Sequence, residues 1–577
     1  MIAFVLLSLW MFKDGEHGQL PYREAGLTQR EAAVHLLSRL THGPRPGDVE
    51  ALLAMGMEAW LEAQLAGNLA DEELERELQV FPALTMDNRS LFNTYPPPGA
   101  VLMKAVKEEA ISKQAAEDPK AHRAEIRAFA RENGIKSQGE LDRQLIGQKI
   151  LRAAIAENQL REVLTGFWFN HFTVSIRKNQ VRPFALAYER DAIRPHALGN
   201  FRELLGATAK HPAMLLYLDN AASVANPGST TAMEANLRNM AGEGGFRGRM
   251  AQRQLKKQAK RNQKRDARNR PSGLNENYAR ELLELHTLGV DGGYSQTDVT
   301  EAARVLTGWT VYPADPARRA KVRQRLERAK AVGFVRQEDF LFRADAHDAG
   351  SKRILGNHFP PGQGLEEGER LLDLLANHPA TARFIATKLA RHFVMDQPPA
   401  SLVDRMAKAF TTSGGEIPAV IRAMVQAPEF WSPEARANKV KTPFEYAVST
   451  VRAVDGELIA YRGLTGWIKK MGQPLYRAPA PNGFSDQGAH WITSGTLVYR
   501  LRFAELLADN KIHGLKVDWQ ALEKKLAGSP SAETWWQFLK PNGGDLPEAV
   551  AETLAQLPQK PQVVAATVIA SAEFQKK

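Results

Sequence analysis

Apolar residues recur every three or four positions over most of this chain, and that period predicts helices. Residues 28–40, TQREAAVHLLSRL, set Ala32, Leu36, Leu37 and Leu40 on one stripe. Thr28 with Glu31 three positions on has the form of a capping box, and THGPRPG stops the helix. Residues 48–65 predict a second helix or a pair, with Asp48 as N-cap. Residues 105–144 mix Ala with both signs of charge, the pattern of solvated helices braced by i,i+4 pairs. Residues 146–172 form one long amphipathic stretch. Further helices are predicted over 367–377, 380–393, 402–411, 417–426, 443–455, 497–507 and 549–557.

Period-two alternation is scarce. The short strand candidates are 173–176 and 332–342, the latter as a hairpin. Strands do not alternate with helices at the spacing of parallel crossover units. The pattern therefore predicts a mainly α, large multi-helix globular fold with a few short β pieces and no doubly wound sheet. Residues 28–577 read as a single helical domain, with sub-lobes 28–240 and 272–577. Residues 472–488, rich in Pro, Gly and Ala, read as a linker.

Composition narrows the chemistry. The chain has 577 residues, 44% of them hydrophobic, enough for a sizeable core. It has no Cys, which excludes disulfides, thiolate metal sites and a Cys nucleophile. The net charge of +11 is concentrated: residues 245–270 carry +10 and residues 317–331 carry +6, leaving −5 elsewhere. The basic balance thus belongs to two segments, and a nucleic-acid partner for the whole protein is disfavoured. Residues 242–271 read as a disordered basic insertion. Its cations could bind phosphates or another anionic polymer, but Phe246 is the single aromatic among them, so a solvated loop is the stronger reading.

Residues 1–27 read as an apolar leader and tail. MIAFVLLSLWMF has the length of a signal-peptide core, although no basic leader precedes it and no small-x-small site follows. The expectation is a periplasmic or extracellular protein, or a cytoplasmic one if that run is not a functional signal. No other run is long enough to span a bilayer, so no integral membrane span is expected.

Candidate chemistry is densest in residues 275–310, NENYARELLELHTLGVDGGYSQTDVTEAARVLTGWT. Asn275, Glu276, Arg280, Glu281, His286 and Trp309 are the binding or catalytic candidates there. The i,i+4 pairs Glu276–Arg280 and Arg280–Glu284 are also ordinary surface pairs. Ser295 and Asp298 form a capping-box variant, which gives Asp298 a structural role. Asn170 and His171 end a helix among aromatics, where a packed imidazole is commoner than a ligand. Asp219 and Asn220 follow an apolar run and either turn the chain or face a hydroxyl-rich or hard-cation ligand. His347, Asp348 and Lys352 share a Gly-containing turn, suited to a general base or to a backbone-bonded turn. Lys388 lies with Arg391 on a helix face that could simply snorkel. Nucleotide-binding and flavin motifs are missing, as are the zinc-protease, serine-elbow and EF-hand signatures. No cofactor is specified; His and carboxylate groups would suit a divalent metal, though no spacing demands one, and no Glu-x-x-His is present.

The strings NENYARELLELHTLGVDGGYSQTDVTEAARVLTGW, WFNHFTVS, HDAGSKRILG, HPATARFIATKLARHFV, KTPFEYAVSTVRA and HLLSRLTHGPRPGDVEAL together resemble a bacterial family of unknown function, DUF1800, in order from about residue 33 to 574. The resemblance implies a large helix-rich protein, commonly exported. It also implies a neighbouring protein related to alkaline phosphatases and sulfatases as a partner. The positions matching the family pattern include Asn170, His171, Asp219, Asn220, Asn275, Glu276, Arg280, Glu281, His286, Trp309, His347, Asp348, Lys352 and Lys388. The functional expectation is an enzyme acting on an anionic or polymeric envelope substrate, with His171, Glu281, His347 and Asp348 as catalytic candidates in one shared hollow. The alternatives are a non-catalytic partner or maturation factor of the phosphatase-like protein, and anionic-polymer or nucleic-acid binding through the basic segment.

Overall fold

Capping chemistry sets many of the helix starts. Thr28 and Glu31 close a reciprocal box before the helix Gln29–Leu40, as the sequence predicts. The same device opens Ala232–Gly242 with Thr231 and Glu234, Gln296–Val305 with Ser295 and Asp298, and Pro443–Ala453 with Thr442 and Glu445. A computed structural model describes residues 19–577 except 113, 115–116, 267–272, 437, 527–529 and 541–543. The apolar run read as a leader falls in residues 1–18, outside the described residues.

The protein is mainly α, with a few short strands in small sheets. The predicted hairpin is present: Val335–Gln337 pairs antiparallel with Phe340–Phe342, and Trp309–Val311 adds on the other side of Phe340–Phe342. Lys352–Ile354 pairs with Asn357–Phe359. Residues 173–176, the other strand candidate, form no strand. Their groups bond locally or to loops, as when Ile176 N–H donates to the Tyr476 carbonyl.

Helix ends differ from the periodicity in instructive ways. The stretch 146–172 is two helices, Gln138–Ile155 and Gln159–His171, because residues 156–158 break the ladder. Asn158 at that break bonds back to Leu69 through both its side-chain oxygen and nitrogen. Asp48 begins the helix Asp48–Met55, whose N-cap is Gly47 in the left-handed region. Gly56, φ +91°, separates it from Met57–Ala66. Asn277–Glu281 continues into a π-helical turn, Leu282–Thr287, and Thr287 Oγ1 donates to Leu282 O five residues back. The wider turn carries His286 into the core. Gly245–Asp266 is helical, where a disordered insertion was expected; Gln, Lys and Arg are good helix formers, and the segment packs on Ala232–Gly242 through buried Ala251.

One apolar cluster runs from Leu20 to Phe574. Helices Pro379–Phe393, Ala400–Ser413 and Ile417–Val425 pack in succession, and Pro443–Ala453 crosses Gln138–Ile155. The residues read as a linker, 472–488, do not join two bodies. They run over this core as an irregular wall between the helices Arg462–Lys470 and Ser494–Ala508. Residues 575–577 return to pair with the chain at 439–441: Lys441 N–H donates to Gln575 O at 2.8 Å and Lys577 N–H to Lys439 O at 2.8 Å. Among the described residues no helix is long and apolar enough to cross a membrane.

Candidate functional site

A cavity of about 120 Å³ opens between the helices Gln159–His171, Pro379–Phe393 and Pro443–Ala453, and the wall 473–486 closes it. Its apolar faces come from Phe167, Phe169, Phe444, Tyr476, Phe484 and Trp491. Its ionisable groups are His42, Lys149, His392, Lys439, Glu445, Asp486 and Lys577. Convergent charges in an apolar hollow of this kind are the usual form of a ligand site.

His392 stands in the last turn of Pro379–Phe393, and its Nδ1 lies 3.9 Å from an Asp486 carboxylate oxygen. Its Nε2 has no hydrogen-bond partner among the described residues. Burial holds the imidazole below its ordinary range, and Asp486 partly opposes this. Burial would raise the Asp486 carboxyl, but His392 and Lys388 bring it below the usual value. At neutral pH the pair is therefore an uncharged imidazole oriented toward a carboxylate, with its far nitrogen free to take a proton.

The wall that delivers Asp486 is held at two points. The Asn170 side chain accepts from Phe484 N–H at 2.7 Å and donates to Phe484 O at 2.9 Å. Gly483 approaches so closely, with φ +76°, that a Cβ there would lie 2.5 Å from Asn170 O. Lys439 bonds both the Asp396 carboxylate and the Asp486 carbonyl, while Asp396 accepts from Gly488 N–H at 2.7 Å.

Lys149 supplies the cation on the floor. Its amine lies 5.4 Å from the Phe444 ring centroid and 5.5 Å from that of Tyr476. Burial lowers its pKa, with Glu189 acting the other way. Glu189 sits in a second π-helical turn, Tyr188–Ile193, and accepts from Gln148 at 2.6 Å, from Arg194 at 3.0 Å and from Tyr476. Glu445 serves two ends of the site. One oxygen completes the capping box on Thr442 N–H at 2.8 Å, and the other pairs with Lys577. Burial would raise this carboxyl, but Lys577 and His392 hold it far below the carboxylate range.

The predicted residues are placed differently. Asn170 alone of them lines this cavity; Lys388 lies close enough to Asp486 to influence it. His171 is buried, its Nε2 3.0 Å from His286 O, and burial drives it well below the usual histidine range. His286 is buried 6.2 Å from it, ring to ring, and burial lowers it to about 3. His347 is fully buried, with Nδ1 2.9 Å from Thr307 O and Nε2 3.6 Å from Glu367. Lys352 donates to Asp348 O at 2.7 Å, to Gly350 O at 3.0 Å and to Glu367. Asp348 receives Arg304 through two contacts of 3.1 Å.

Asn220 donates to Leu306 O and Trp309 O, and Asp219 pairs with Lys178. Asn275 donates to Asp219 O, and Glu276 accepts from Thr300, Gln296 and Arg280. Trp309 is buried against Gly368. Glu281 is half-buried, and burial with Glu284 raises its pKa. His171, Glu281 and His347 do not line the cavity described above.

The residues that do line it were missed because Asp486 lies in a segment that composition assigns to a linker, and His392 ends a helix that reads as basic and snorkelling. An irregular stretch of that length inside one core was the available signal, since such loops are commonly functional. Among the described residues no group of three or more His, Asp or Glu side chains is placed to hold a metal ion.

These features define a helix-built protein with an oriented imidazole–carboxylate pair in a cation-bearing pocket. The family is shown by a match over residues 35–576 to the family model described as "Protein of unknown function (DUF1800)", and the chain belongs to that family. No curated protein and no solved structure matches it.

Proposed function

We propose that the protein is an enzyme performing acid–base chemistry on an organic anion with an apolar body, bound in the cavity around His392 and Asp486. The observation that carries this is His392 in the lining of a hollow shared with Lys149: its buried Nε2 has no hydrogen-bond partner among the described residues, and Asp486 stands beside its other ring nitrogen. In this reading His392 takes or returns the proton, and Asp486 is a positioning residue that steadies the imidazolium. Lys149 attracts the anion, and the aromatic wall accommodates its apolar part. A substrate drawn from the cell envelope is the portion that rests on the family resemblance alone.

The test is turnover of chromogenic aryl phosphates, aryl sulfates and aryl carboxylate esters by the full chain and by His392→Gln. Loss of a proton-transfer group costs roughly 10²–10⁴ in rate. Equal rates in the two proteins, with circular dichroism unchanged, would remove His392 from the chemistry.

A further inference from the structure

Behind the main cavity lies a smaller chamber of about 30 Å³, sharing His42, Glu445 and Lys577 with it. Its remaining charged lining is basic: Lys441, Lys540 and Lys576. Arg39, wholly buried, is close enough to Lys540 and Lys577 to act on their charge. Lys441, Lys540 and Lys577 are each more than nine-tenths buried. A buried ammonium without a carboxylate partner is costly, and burial accordingly holds the Lys441 amine well below its ordinary range and lowers Lys540 to about 7, so each is poised to gain a proton when an anion arrives. Among the described residues Glu445 is the one side-chain carboxylate in the chamber lining, and the Lys577 amine already holds it.

Among the described residues neither Lys441 nor Lys540 forms an ion pair with a carboxylate, although Glu445 and Glu573 are near enough to act on Lys441 and Lys540 respectively. Lys540 donates to Lys576 O at 2.8 Å, a neutral carbonyl. The Lys441 amine lies 3.9 Å above the Phe574 ring, with no hydrogen-bond acceptor among the described residues. Arg39 donates to Ala435 O, and its Nε and Nη1 have no partner. His42 Nδ1 also has none. Lys441, Lys540 and His42 thus line a hollow whose one side-chain carboxylate, Glu445, is already engaged, with Arg39 close behind.

We propose that this chamber is a binding site for a small tetrahedral oxyanion, phosphate or sulfate in charge and shape. Lys441 and Lys540 would be its principal donors, each offering an N–H to an anionic oxygen. The site stands apart from proton transfer at His392, and either can fail without the other.

Isothermal titration of the full chain with sodium phosphate, sodium sulfate, sodium acetate and sodium chloride at constant ionic strength tests it. The expected result is saturable, one-site binding of phosphate or sulfate, and none of chloride. Lys441→Met should weaken that binding roughly tenfold or more, while His392→Gln leaves it unchanged. Lys441→Met also removes a buried amine whose charge burial disfavours, so it should melt no lower than the parent in chloride; this guards against a result caused by misfolding. Acetate binding as tightly as phosphate would replace the tetrahedral anion with a carboxylate and overturn the proposal as stated. No saturable binding, or equal affinity in parent and Lys441→Met, would also overturn it.

Discussion

His392 Nδ1 faces the Asp486 carboxylate across 3.9 Å, although one residue ends a helix and the other sits in an irregular wall. Asp486 raises the imidazole pKa, while burial lowers it more strongly. Asp486→Asn should therefore move the His392 titration to still lower pH. The shift is readable by NMR of histidine ring nitrogens across a pH series, and needs no substrate. An unmoved or upward-shifted His392 would break the electrostatic link between the two.

Asn170 and Gly483 fix where Asp486 stands. Asn170→Ala leaves both Phe484 backbone groups without their partner, a loss of about 1–3 kcal/mol where the site is buried. Gly483→Ala forces a side chain into the left-handed region and against Asn170 O, with a cost on the order of 1–3 kcal/mol. Both variants should show faster hydrogen exchange over residues 478–488, with little change in the helix Gln159–His171. Exchange spread evenly over the chain would mean the clasp is not local.

How much of this was legible beforehand follows from which interactions are local. Thr28–Glu31 and Ser295–Asp298 are three residues apart, so their capping boxes were readable and are present. The 332–342 hairpin was readable for the same reason. The π-helical turn at Leu282–Thr287 was not, because its pattern does not differ from an α-helical one until burial of His286 is known. The pairing of residues 575–577 with 439–441, and the Asn170 clasp on Phe484, join positions far apart in the chain. No periodicity encodes them, and so the cavity they close was invisible. Polar density in 275–310 marked a bonded scaffold: Asn275 donates to the Asp219 carbonyl, the Asp219 carboxylate pairs with Lys178, and Glu276 accepts from Thr300 and Gln296.

The buried Lys352–Glu367 pair beside His347 should behave as a structural unit. Lys352→Met strands Glu367 in a fully buried place, and breaking such a pair costs about 3–5 kcal/mol. The double variant Lys352→Met/Glu367→Leu removes both charges and should recover most of that loss. Urea denaturation of the three proteins decides it. A single variant as stable as the parent would show that Glu367 has another partner or takes up a proton at no cost.

Acid sensitivity should begin in the histidine range, above that of the carboxylates. Burial lowers His35, His42, His211 and His286 from 6.5 to about 3 each. Between those values the unfolded chain binds protons that the folded protein refuses. The histidine contribution to stability is therefore full above pH 6.5 and falls as pH drops toward 3, by up to about 1.4 kcal/mol per pH unit for each imidazole. Glu445 and Asp486, also depressed in the fold, add to the loss only near and below their ordinary values of 4.5 and 3.8. Melting temperatures should thus decline from pH 6.5 to 5, where those carboxylates are still ionised in both states. His286 Nε2 has no partner, so His286→Phe removes the proton site without stranding an acceptor. That variant should have a shallower slope over the same interval. A melting temperature flat from pH 7 to 5 would mean these rings are protonated in the folded protein, and the burial argument would fail.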